Sequence, residues 1–90
     1  KCDAMAGILK EGEGILEETE PGAVRDAGII AACQKVEHYE IASYGTMSSF
    51  ARLLEHKEAK KLIDEILKEE KSADKTLSEL AKTEINLEAK

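Results

Sequence analysis

The chain is 90 residues long and 42% hydrophobic but only 3% aromatic, with no Trp, a single Phe and a net charge of −6. That length is one domain or part of one, with a modest core. The acidic balance excludes nucleic acid as a partner, because phosphate binding needs a concentrated basic surface.

A core limited to Leu, Ile, Ala and Met, in a chain with 36% charged residues and one Pro, predicts an all-α fold. The run KEAKK at 57–61 is interrupted and then followed by acids, so no basic face forms. No apolar stretch approaches the roughly 18 residues of a membrane span, and no signal-peptide pattern opens the sequence. A cytoplasmic protein is expected. Its opening, KCDAM, reads like a segment of something longer. Cys2 and Cys33 have no metal spacing and no CxxC arrangement. They are expected as a terminal thiol and a small buried helix residue in a reducing compartment.

In chain order, Asp3 is placed to cap a first, short helix whose apolar positions are Met5, Ile8, Leu9, Ile15 and Leu16. The turn at Glu20–Gly22 should end it near Thr19. Gly7 and Gly12 have the spacing of a phosphate loop, but acids follow where Lys and Ser/Thr are required, so that reading fails.

A long second helix is predicted from Ala23 to about Leu54. Its inner stripe runs by sevens through Ile30, Glu37, Tyr44 and Ala51, interleaved with Cys33, Glu40, Met47 and Leu54. The stripe keeps its phase across Gly45, which predicts a continuous helix with room for a close neighbour there. After a junction at Leu54–Ala59, a third helix carries Leu62, Ile63, Ile66, Leu67, Leu77, Leu80 and Ala81 to about Lys82. Glu70, Ala73 and Asp74 fill the gap in its stripe. The tail EINLEAK is expected to fray.

Two pairs of acids therefore fall on inner faces: Glu37 with Glu40, and Glu70 with Asp74. A buried carboxylate takes up a proton, finds a cation, or is not buried after all. With the two long helices antiparallel, both pairs reach the same level of a bundle. Carboxylates converging inside a bundle are how carboxylate-bridged metal centres are built, and hard oxygen ligands suit iron, manganese or magnesium. The competing reading pairs these acids with Lys35, Arg52 or Lys71 at the edge of the apolar face. His38 points about 100° from Glu37 and is expected as a hydrogen-bonding flank residue before a ligand. Tyr44 could hydrogen-bond a ligand carboxylate or be plain core. No Ser-His-Asp or Cys-His set has useful spacing.

Three blocks then carry a resemblance: CDAMAGILKEGEGILEE (2–18), VRDAGIIAACQKVEHYEIASYGT (24–46) and KKLIDEILKEEKSADKTLSELA (60–81). Over nearly its whole length the chain resembles the YciE/YciF-like bacterial proteins of the ferritin-like superfamily. The resemblance implies a ferritin-like bundle fragment over 1–90, one short and two long helices, lacking the first two helices of the full-length proteins. It implies a stress-associated protein whose Glu37 matches the Glu of the third bundle helix and whose Glu70 matches the first Glu of the fourth. Ferritin-like di-metal sites usually carry His three residues further on, where this chain has Ala73; Asp74 stands next to it as the substitute.

The expected ligands are Glu37, Glu40, Glu70 and Asp74, supported by Tyr44 and His38, with iron or manganese as the metal. Ferroxidase or peroxide-consuming activity would need bound iron with open positions. The missing half predicts a homodimer, or a larger homo-oligomer, that completes a four-helix bundle. The alternative is a metal-free helical structural or dimerisation module.

Overall fold

The structure is a computed structural model that describes residues 1–90. It is all helix: α1 (Asp3–Glu18), α2 (Ala23–Leu53) and α3 (Lys57–Leu80), the last running on through a π-helical turn at Ala81–Ile85 into a short α4 (Asn86–Ala89). The all-α reading and the continuity of α2 through Gly45 hold.

Local chemistry sets the ends. Cys2, not Asp3, caps α1: its thiol accepts the Met5 N–H at 3.5 Å. Asp3 lies one residue later, in the first turn, where its charge faces the positive end of the helix dipole. At the other end Thr19 adopts an extended conformation, and its hydroxyl donates back to the Ile15 carbonyl at 2.5 Å. Arg25 of α2 reaches over that end and donates to the carbonyls of Leu16 and Thr19, satisfying acceptors that the helix leaves open. Gly22, at φ 148, makes the reversal into α2. Gly28 is the point of closest approach to α1, since a Cβ there would lie 2.7 Å from Cγ2 of Ile15.

Gly45 differs from expectation: a Cβ there would meet nothing within 4 Å. It makes room for no neighbour, and packing of α2 against α3 outweighs its weak helix propensity. The C-terminus of α2 is a Schellman turn. The His56 N–H donates to the Ala51 carbonyl at 2.8 Å and the Glu55 N–H to the Arg52 carbonyl at 3.1 Å. Glu55 sits in the left-handed region there, at φ 59.

The tail also corrects the sequence reading. Instead of fraying it stays helical to Ala89 and packs along the first half of α2. The wider π turn changes the phase of the helix. Ala81 is buried, and Ile85 comes beside Ile29 and Ile30.

The helices form a single layer with α2 in the middle, touched by α1 on one edge and α3 on the other. The layer measures 49 × 30 × 13 Å, so its thin dimension is close to the ~10–12 Å width of one helix. Only Ile30, Ser48, Ala51 and Ala81 are buried, none of them completely. The radius of gyration, 15.9 Å, exceeds the ~12 Å of a compact domain of this length. One polar clamp sets the register of α2 on α3 near the turn: Asp64 accepts from buried Ser48 and from Lys60, each at 2.5 Å.

A non-glycine residue in the left-handed region is strained. Glu55→Gly is expected to stabilise the chain by about 0.5–1 kcal/mol in urea denaturation. A loss of stability would show that the Glu55 side chain contributes more than its backbone costs.

Candidate functional site

Three of the predicted ligands lie along the α2–α3 contact, without forming a group arranged to hold an ion. Glu37 and Glu40 stand on one face of α2, and Glu70 of α3 lies near enough for them to act on its carboxyl. All three are half-buried. Burial, followed by the charge and hydrogen bond of Glu70, pushes the Glu40 carboxyl above its ordinary value. The hydrogen bond with Glu37, followed by burial and the Glu37 charge, pushes Glu70 up as well, with Glu40 opposing in part. Oε2 of Glu37 is buried with no hydrogen-bond partner.

Asp74 is placed elsewhere. One turn beyond Glu70, its Oδ1 lies 2.9 Å from Nε2 of His38 and accepts from the Gln34 amide at 3.3 Å. The same amide donates to Ser78 Oγ at 2.7 Å. His38 therefore does flank the acids, as the helical angle predicts, but it is exposed and turned to Asp74. Tyr44 is half-buried one turn beyond Glu40 and is not among the groups acting on the Glu40 or Glu70 carboxyls.

Cys33, expected to be buried, is exposed, at the edge of the groove between α1 and α2 beside Leu9 and Leu16. Cys2 has a partner that the sequence did not disclose: its thiol lies 3.0 Å from the Tyr39 hydroxyl. That bond, with the Met5 N–H, holds the thiol below its ordinary value.

Do these residues fit a metal? The donor chemistry does: three carboxyls, one with an orphaned buried oxygen and two pushed toward protonation, lack a positive partner. The geometry of one chain falls short, since no group of three or more His, Cys, Asp or Glu side chains is arranged to hold an ion. Ferritin-like centres draw ligands from four helices, and this chain brings two of them to the site.

The matches to known proteins identify the family. Residues 1–90 match the family described as Domain of unknown function, DUF892. The chain belongs to this family. It is 51% identical over 89 residues to Protein YciF of Escherichia coli (strain K12), covering 99% of this chain and 54% of that protein. The crystal structure of the E. coli stress protein YciF matches with a TM-score of 0.90 over 96% of this chain and 54% of that one. The chain thus spans about half the length of the relative it matches. No helix of this DUF892 chain is long and apolar enough to cross a membrane.

Glu40 and Glu70 both bind protons more tightly folded than unfolded. Their stabilising contribution is fully present below the ordinary value of 4.5 and is lost as pH rises through the raised folded values. Asp64, lowered by Lys60 and then Ser48, acts in the opposite sense and only below its ordinary 3.8. In buffer with chelator, the melting temperature should fall as pH rises above the ordinary carboxyl value of 4.5. Glu70→Gln should flatten that slope while Asp64→Asn leaves it unchanged. A wild-type slope in Glu70→Gln would place its origin outside the carboxyl contact.

Proposed function

We propose that this DUF892 chain is a metal-binding ferritin-like protein associated with the stress response, its metal held through Glu37, Glu40 and Glu70. The observation that carries the reading is the orphaned, buried Oε2 of Glu37 beside two carboxyls displaced toward their protonated forms. Hydration is lost there and no cationic side chain replaces it, which costs several kcal/mol for an isolated charge unless a cation or proton arrives. Hard oxygen donors favour iron or manganese over softer ions. The stress association rests on the likeness to the E. coli stress protein YciF.

In this reading Glu70 would join the two glutamates of α2 around the ion. Glu37 supplies the free oxygen. Asp74, engaged by His38 and Gln34, enters only if His38 swings away. It serves first to fix the pitch of α3 against α2. Bound iron would supply the redox chemistry of a ferroxidase or peroxide-consuming centre.

The second reading, a metal-free helical interaction module with Glu40 and Glu70 protonated, is favoured by the lack of a three-donor arrangement within one chain. Elemental analysis separates the two. After incubation with iron(II) or manganese(II) and gel filtration, the protein should retain metal, and Glu70→Ala should lose it while keeping its helical circular dichroism. Metal-free wild type would leave the module reading in place. If metal is retained and Glu70→Ala keeps it, the ligands lie elsewhere.

A further inference from the structure

Asp74 stands one helical turn from Glu70 on the same face of α3, a spacing at which two carboxylates can reach one ion. It does not turn to the glutamates. Its Oδ1 lies 2.9 Å from Nε2 of His38 and 3.3 Å from the amide nitrogen of Gln34. The two contacts differ in weight. The His38 side chain is 66% exposed, and an ion pair open to water is largely screened. Gln34 is half-buried between the helices. Its amide is anchored on α3 by a 2.7 Å bond to Ser78 Oγ, one turn beyond Asp74.

The same amide bears on the orphaned oxygen. A primary amide has two N–H donors, and Gln34 directs its nitrogen to Ser78 and Asp74. Neither remains for Glu37, three residues along the same face of α2, whose buried Oε2 has no partner. Lys35, the nearest basic residue along α2, pairs instead with Glu11 of α1 at 3.4 Å.

We infer that Gln34 is a positioning residue for this site: it holds Asp74 off the glutamate group and leaves Glu37, Glu40 and Glu70 as the carboxylates open to a divalent cation. This role rests on the metal-binding reading and says which acids the fold admits and which it withholds. Gln34 itself touches no ion; it acts through Asp74. The number of charged oxygen ligands helps set how tightly a hard divalent ion is held. A site that withholds one carboxylate therefore holds its ion more loosely than the same acids could.

Manganese(II) alone, titrated into the chain and followed by the electron paramagnetic resonance signal of the free ion, reads the affinity directly. Gln34→Met keeps an unbranched side chain of good helix propensity and removes both donors. It should bind manganese(II) about tenfold more tightly than the wild type. Asp74→Asn should cancel that gain in the double variant and weaken the wild type much less, a coupling that a purely structural role of Gln34 would not produce. Circular dichroism checks the helices, and Gln34→Leu replaces Gln34→Met if that variant loses them. Affinity equal to or weaker than wild type without the amide, or a gain that survives Asp74→Asn, overturns this role and leaves the metal-binding reading standing. If wild type and variant both leave manganese(II) free, that reading fails, and the role of Gln34 fails with it.

Discussion

The organising constraint is the meeting of Glu70 with Glu37 and Glu40 between two helices that otherwise hold each other through apolar contact. Like charges at such an interface oppose packing, and a chain with so small a buried core has little stability to spare. The helices nevertheless close over these acids. Their neighbours show how: Ser48, Asp64 and Lys60 lock the register near the α2–α3 turn, while Gln34, His38, Asp74 and Ser78 lock it one turn beyond the acids. The glutamates are held between two polar clamps, and their geometry is imposed on them.

Seen this way, two features of the fold belong together. A single layer of helices leaves apolar side chains uncovered, and Glu37 leaves a buried oxygen without a partner. The edges of the layer are finished locally instead: Arg25 over the end of α1, the Schellman turn at Glu55, and the π turn that returns Ile85 to α2.

Much of this was legible in the residues. The seven-residue stripe from Ile30 to Ala51 gave α2 its length and carried it through Gly45, because burial along a face outweighs the propensity of one residue. That stripe and the one along α3 put Glu37 and Glu40 on the inner side of one helix and Glu70 on that of the other, since helical periodicity fixes direction as well as spacing. Other features left no local signal. Cys2 as a cap is a weak pattern beside Asp3, whose charge is the stronger capping cue. Glu55 occupies a left-handed position where Gly is the usual marker. The tail gave no apolar period of 3.6 because its π turn changes the phase.

The sequence by itself determined the helices, their order, and which side of each carries apolar and acidic residues, because those depend on spacing along one chain. Tertiary structure decided the partners. Asp74 has the spacing to join Glu70, yet the rotation of α3 against α2 gives it to His38 and Gln34 and leaves Glu70 to the two glutamates. The reason is physical. Periodicity sets the angle of a side chain on its own helix, but the crossing of two helices and their register decide which neighbour lies within the roughly 3 Å of a hydrogen bond.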